Sequence, residues 1–376
     1  MPTSTTEPAW ALHRRAIIVD GHCDTPYRML RHNVRLDEHD PEAQLDLRTL
    51  RESGITASFF AAYVPPAYAG CGAAAFAHKL IDLITSEAAS YEGLTFATDV
   101  KGIRRAKQEG RIALMIGVEG GHAIEDSLDI VRDFYVRGAR YLTLTHVNTN
   151  NWCDSSGDAG RHGGLTAFGR TVVQTMNDIG MIVDISHVSD NAYAHVLETT
   201  RVPVVATHSS CRALCRHPRN MTDDMLRDLA KNGGICMINF FSAFLNDEVA
   251  QAIMKASKRP RNGNGGAGGT EELPDDRTDW DEYLKWFNTL GCPSAKLEDA
   301  IDHIIHAATV AGINHVGIGS DFDGVPALPE GLQTAAGLPA ITERLQQRGL
   351  SDEDILKVLG GNFLRAFEAI EAGAKR

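Results

Sequence analysis

The chain has 376 residues, with 37 Lys and Arg against 49 Asp and Glu, for a formal net charge of −12. That acidic balance argues against nucleic acid or an anionic membrane surface as the main partner. A hydrophobic share of 43% and a charged share of 23% are ordinary for a globular chain, and this one is long enough to bury a large core. No apolar run approaches the ~18 residues needed to span a bilayer. The N-terminal MPTSTTEPAWALHRR lacks the basic start and apolar centre of a secretory leader, and the C-terminal EAIEAGAKR is no lipid-anchor signal. Seven cysteines, an odd number, in a chain that needs no staples point to a reducing compartment. The expected setting is cytoplasmic, with no membrane or nucleic-acid partner. Cys211 and Cys215 are spaced C-x3-C, but no second pair completes a zinc finger, so they read as buried or loop thiols.

Along the chain, eight short β-rich apolar runs alternate with helix-like stretches. The runs are AIIVD (16–20), GITASFFAAYV (54–64), RIALMIGVE (111–119), ARYLTLTH (139–146), GMIVDISH (180–187), VPVVATH (202–208), GGICMINFF (233–241) and HVGIGSD (315–321). Several are apolar almost throughout, as parallel strands covered on both faces are. Helices are expected over 73–90, 165–180, 224–234, 297–312 and 352–371, the second ending on Gly180. Eight strands alternating with helices predict an α/β fold of the (β/α)8 TIM-barrel type. An open doubly wound sheet is the alternative. It is disfavoured because eight strands close a barrel and no G-x-G-x-x-G follows the first run. A single domain is expected over 1–376, with its core at 16–370. Two segments break the rhythm: 22–53 after the first strand and 242–300 after the seventh. The second contains a glycine-rich stretch, 259–277, expected to be a mobile loop. Its position on the catalytic face suits a lid, and a surface insertion without a role fits equally well.

Barrel enzymes keep their chemistry at the C-terminal ends of the strands. There the first run ends VDGHCD, giving His22 and Asp24, and the third ends GVEGGH, giving Glu119. The fourth gives His146, the fifth His187 and the sixth His208, while the eighth ends GSDFDG, giving Asp321 and Asp323. One histidine at a strand end is usually a hydrogen-bonded structural residue. Six strands converging on one rim are hard to explain that way, because grouped carboxylates and imidazoles repel or desolvate one another without a cation. His22 and Asp24, two apart, would point the same way on a strand. Three imidazoles and two carboxylates suit Zn²⁺, with Mn²⁺, Co²⁺ or Fe²⁺ as alternatives, and are too nitrogen-rich for calcium. Two ions sharing Glu119 could also share a water, whose pKa they would lower towards neutrality. This is the pattern of a metal-assisted hydrolase.

The ordered blocks HCD, EGGH, THVNTNNW, DISH, THSS…RHPRN and GSDFDG resemble the membrane (renal) dipeptidase family, a branch of the amidohydrolase superfamily, from about residue 16 to residue 370. The resemblance implies a barrel with two zinc ions bridged by a glutamate. His22, Asp24 and Glu119 would hold one ion, and Glu119, His187 and His208 the other. No lysine lies at a strand end to be carboxylated as in other branches of the superfamily. The same resemblance places His146 at the substrate carbonyl, where a donor stabilises the developing oxyanion. Asp321 would accept a proton from the bridging water and deliver it to the leaving amine, with Asp323 as the fallback. Arg219 matches the arginine that binds the substrate's terminal carboxylate, a task that suits a guanidinium fork; Arg212 and Arg216 lie nearby. His122, His162 and His217 receive no role. The family often carries a tyrosine where this chain has Phe241, and the 259–277 insertion is unlike the animal form.

The expected activity is that of a binuclear zinc dipeptidase acting on small dipeptides, L-Xaa-D-Xaa among them, through a metal-bridging hydroxide. Two alternatives remain: the same site acting on N-acyl-amino acids, lactones or β-lactams, and a non-catalytic metal-binding scaffold. The family is often dimeric, so a homodimer is compatible with the sequence.

Overall fold

Nine parallel strands form one sheet: β1 (Val19–Cys23), β2 (Ala57–Tyr63), β3 (Leu94–Phe96), β4 (Ile112–Glu119), β5 (Ala139–Thr143), β6 (Ile182–Asp184), β7 (Val205–Ser209), β8 (Ile235–Ile238) and β9 (Val316–Ile318). The computed structural model describes residues 6–38, 40–257 and 286–375. β2 pairs with both β1 and β4, and β1 pairs with β9, so eight strands close into the (β/α)8 barrel expected from the eight apolar runs. The sequence did not announce β3. It has only three residues, pairs with Ile112–Leu114 at the start of β4, and gives way to β5 from Ile116 onward.

The strands are apolar on both faces because both faces are buried. Their outward side chains, among them Leu114, Ile116, Val118, Leu142 and Val183, join the helices in one core. Their inward side chains, among them Val19, Phe59, Met115, Tyr141 and Met237, meet Phe363 and Phe367 of the C-terminal helix in another. That helix plugs the end of the barrel opposite the strand C-termini. Inside, Tyr141 occupies the space that Gly117 leaves open, since a Cβ on Gly117 would overlap its ring.

The helix expected over 73–90 is Ala73–Ser90. Those expected over 165–180 and 224–234 run Ala167–Ile179 and Asp223–Asn232, each ending at a left-handed glycine, Gly180 and Gly233. The expected 352–371 helix is interrupted by a π-turn at Lys357–Gly361 before Asn362–Ala372. There the chain presses on the barrel, and a Cβ on Gly360 would overlap the Ile17 carbonyl oxygen. The 22–53 connection contains helices Thr25–His32 and Leu47–Glu52, and 242–300 opens with Ser242–Leu245 and Asp247–Ser257. The glycine-rich stretch 259–277 and its lid reading lie outside the described residues. Among the described residues, no helix is long and apolar enough to cross a membrane.

Candidate metal centre and active site

The strand-end residues do come together, but fewer of them lie in strands than the sequence suggested. His22, Glu119 and His208 are within β1, β4 and β7. His146, His187 and Asp321 each sit three residues past a strand end, His187 and Asp321 in left-handed backbone at φ 72° and 65°. Such a conformation in a non-glycine residue costs free energy that the surroundings must offset, and it recurs at functional sites. Asp24 has also left its strand and precedes helix Thr25–His32. His22 and Asp24, paired by the i, i+2 strand argument, do lie together, although a turn, not strand parity, brings the carboxylate back.

Glu119 is the hub. Its Oε1 lies 3.1 Å from His187 Nε2 and 3.3 Å from His208 Nε2, and its Oε2 lies 3.4 Å from His22 Nε2. His22 Nε2 in turn lies 3.2 Å from Asp24 Oδ2 and 3.9 Å from Asp321 Oδ1. His187 Nε2 and His208 Nε2 are 2.9 Å apart. All six side chains are buried. Gly324 makes room for the carboxylates, since a Cβ there would overlap Asp24 Oδ2 and Asp321 Oδ1.

The electrostatics are those of carboxylates and imidazoles buried together out of water. Burial pushes Glu119 up to about 7 and Asp321 up to about 6, in both cases against the pull of His22. Burial also holds His146, His187 and His208 well below the usual imidazole value, with the charge of Arg219 adding to it. At His22 burial acts the same way, but the Glu119 and Asp24 carboxylates outweigh it and hold the ring well above its usual value.

The donor set fits divalent metal. His22, Glu119 and His208 each present an atom within 4.8 Å of the others', and so do Glu119, His146 and His187, and His22, Asp24 and Asp321. Two imidazole nitrogens facing each other across a carboxylate oxygen, all out of water, make a poor hydrogen-bond set and a good ligand set. Asp24 Oδ1 is buried with no hydrogen-bond partner among the described residues.

The neighbours separate the remaining candidates. Asp321 Oδ2 accepts a 2.7 Å bond from Asn239 Nδ2. Asp323 is turned away, accepting from Thr25 Oγ1 at 2.7 Å and the Gln44 backbone at 2.8 Å, with Arg28 Nε at 3.3 Å. Arg212 is held on both arms by Asp190, and Arg216 by Asp247. Arg219 is buried and bonds only neutral oxygens, Ser209 Oγ at 3.2 Å and the His208 carbonyl at 3.0 Å; no carboxylate lies within 4.0 Å of it among the described residues. The His146 ring packs 4.5 Å from His187 and 4.7 Å from Tyr63, and its buried Nδ1 has no partner among the described residues. His122 bonds Pro65 O, His162 bonds Asn150 O, and His217 accepts from the Arg219 backbone. Phe241 lies among Phe244 and Phe287.

Sequence reasoning missed the residues behind the site. Asn239 lies near the end of the seventh run, in NFF, and could have been found by extending the strand-end search to amides. Tyr141, Asp184 and Thr207 precede the site on their strands and gave no signal of their own.

A sequence profile described as membrane dipeptidase (peptidase family M19) matches residues 6–376. Human dipeptidase 3 is 33% identical over 374 residues, covering 96% of this chain and 67% of that protein. Rat dipeptidase 3 is 32% identical over 375 residues, covering 97% and 67%. The crystal structure of the probable dipeptidase PvdM from Pseudomonas aeruginosa superimposes with a TM-score of 0.83 at 27% identity, over 98% of both chains. A metallopeptidase from Rhodobacter sphaeroides, liganded with a phosphinate mimic of the dipeptide L-Ala-D-Ala, shares the fold at TM-score 0.76 and 23% identity, over 94% of this chain and 99% of that one.

Proposed function

The chain belongs to the membrane dipeptidase family and is a peptide-bond hydrolase, and on that premise we propose that it cleaves small dipeptides at a centre of two zinc ions. His22, Asp24 and Glu119 would hold one ion, and Glu119, His187 and His208 the other. The observation that carries this reading is the convergence of His187 Nε2 and His208 Nε2 on one oxygen of Glu119 while the other oxygen faces His22. Ions held there would supply Lewis acidity, lowering the pKa of water and polarising an amide carbonyl.

The protein's own groups supply the rest. The Arg219 guanidinium, buried without a counter-ion among the described residues, pairs with the C-terminal carboxylate of the substrate and sets its register. His146 donates to the carbonyl oxygen as negative charge develops there. Asp321 takes a proton from the attacking water as the C–O bond forms. It then returns that proton to the amine nitrogen as the C–N bond breaks. Asn239 fixes one oxygen of Asp321 and leaves the other turned into the site. L-Xaa-D-Xaa dipeptides are the proposed substrates, a reading supported by the L-Ala-D-Ala mimic bound to the Rhodobacter sphaeroides protein. A cytoplasmic, reducing setting belongs to the same proposal, and the free thiol of every one of the seven cysteines supports it.

The test is a panel of L,L and L,D dipeptides run beside N-acyl-amino acids, lactones and a β-lactam. Faster turnover of dipeptides supports the reading. Faster turnover of another class moves the substrate while keeping the site.

A further inference from the structure

The three imidazoles aimed at the centre are not held alike. His22 Nδ1 meets Tyr141 Oη at 2.7 Å, and His208 Nδ1 meets Thr207 Oγ1 at 2.8 Å. His187 Nδ1 is buried with no partner among the described residues. At His22 the bond does not decide which ring nitrogen carries the proton, because a phenol can donate or accept. At His208 the hydrogen positions follow from the neighbours.

Asp184, fully buried at the end of β6, receives four donors. The backbone N–H groups of Ser186 and Thr207 reach Oδ1, both at 3.0 Å. The hydroxyls of Thr143 and Thr207 reach Oδ2, at 2.6 and 2.7 Å. All four bonds need the carboxylate as acceptor. Thr207 has one hydroxyl hydrogen and gives it to Asp184. Its oxygen must therefore accept from His208 Nδ1–H. A neutral imidazole protonated at Nδ1 carries its free lone pair on Nε2, and Nε2 is the atom that faces Glu119 and His187. Thr207 itself has little freedom: a Cβ on Gly21 or Gly319 would overlap its carbonyl oxygen, so β1 and the end of β9 close on it.

We propose that Asp184, acting through Thr207, fixes His208 in the Nδ1–H tautomer and so keeps its Nε2 lone pair ready for metal. Asp184 is thus a positioning residue that also ties together β5, β6 and β7, the strands leading to His146, His187 and His208. The inference rests on the metal-centre reading above, but its first measurement does not depend on metal.

That measurement is the long-range ¹H–¹⁵N spectrum of the histidine rings in metal-free protein at pH 8, with His208 assigned from His208→Asn. The expected wild-type signal is protonated Nδ1 and bare Nε2. Thr207→Val keeps the shape and removes the relay oxygen. It should abolish that fixed tautomer and weaken zinc binding by about 10–100-fold, the usual effect of losing a partner behind a ligand. Thr207→Ser should restore both, which loss of packing alone would not explain. Asp184→Asn should act in the same direction; because it could also unfold three strands, the threonine pair decides. A wild-type ring protonated on Nε2, or a folded Thr207→Val protein with unchanged tautomer and zinc affinity, overturns the proposal. Failure of the wild type to bind zinc would instead refute the metal centre, and the spectrum separates the two failures.

Discussion

Asn239 Nδ2 donates to Asp321 Oδ2 at 2.7 Å, which leaves Asp321 Oδ1 turned towards His22 Nε2, 3.9 Å away. A carboxyl group held by one oxygen, with the other free towards the centre, is set up to move a proton. Asp323, two residues on, has its oxygens engaged by Thr25, Gln44 and Arg28.

The two aspartates should therefore fail differently. Asp321→Asn should lower kcat by roughly 10²–10⁴-fold, the usual worth of general acid–base catalysis, with metal content unchanged. Asp323→Asn disturbs a buried ion pair and should cost stability, on the order of 3 kcal/mol, while the folded fraction keeps most of its turnover. Steady-state rates per folded enzyme, beside urea unfolding curves, check both. A folded Asp323→Asn enzyme without turnover would exchange the two roles.

Arg219 should matter for binding and for one group of the substrate. Loss of a charged hydrogen-bond pair costs ~1.5–3 kcal/mol, so Arg219→Met should reduce kcat/KM for a dipeptide by about 10–100-fold, chiefly through KM. A dipeptide with its C-terminus amidated lacks the charge, so it should be a poor substrate of the wild type and lose little more in the variant. An equal loss on both substrates would remove the carboxylate from the role of Arg219.

Gly324 should be intolerant of one methyl group. In Gly324→Ala the Cβ would overlap both Asp24 Oδ2 and Asp321 Oδ1, so the carboxylates must part. The expected result is loss of bound metal and turnover with a small change in Tm. Retention of both would show that the two carboxylates need not approach as closely as they do here.

How much of this was legible depended on the range of the interaction. The eight runs specified the barrel because alternation of apolar strands and helices is a local pattern, and β3 escaped because three residues carry no periodicity. The ligand-type residues were found by chemistry at strand ends. Their convergence depends on backbone that the pattern does not encode, such as the left-handed turns at His187 and Asp321. Asp184 and Thr207 were not found because what gives them importance is their contact with each other, 23 residues apart, and that of Asp184 with Thr143, 41 residues away.

Acid should destabilise the fold through buried histidines remote from the centre. Burial lowers His13 to about 4, with Lys107 adding to it against its bond to Ser53, and burial likewise lowers His303 to about 4. An unfolded histidine takes up its proton near 6.5. Between pH 6.5 and 4 the unfolded chain therefore binds more protons than the fold, and stability falls as pH falls, by on the order of 3 kcal/mol per group. The raised carboxyls of Glu119 and Asp321 act in the opposite sense over that window, so the check is the difference: in the presence of a chelator, wild type should lose more unfolding free energy, or gain less, than His13→Gln as pH falls. An equal slope in wild type and variant would contradict the role given to His13.

Metal content and dipeptide turnover, measured together on wild type and Glu119→Gln, test the metal centre most directly. Glu119 is the residue both ions would share. The wild type should carry about two zinc equivalents, the number such a shared carboxylate can bridge, and should hydrolyse L-Xaa-D-Xaa dipeptides, while Glu119→Gln should lose metal from both positions and turnover with it. A wild type that binds no metal after reconstitution, or a Glu119→Gln enzyme that keeps both metal and turnover, would contradict the assignment.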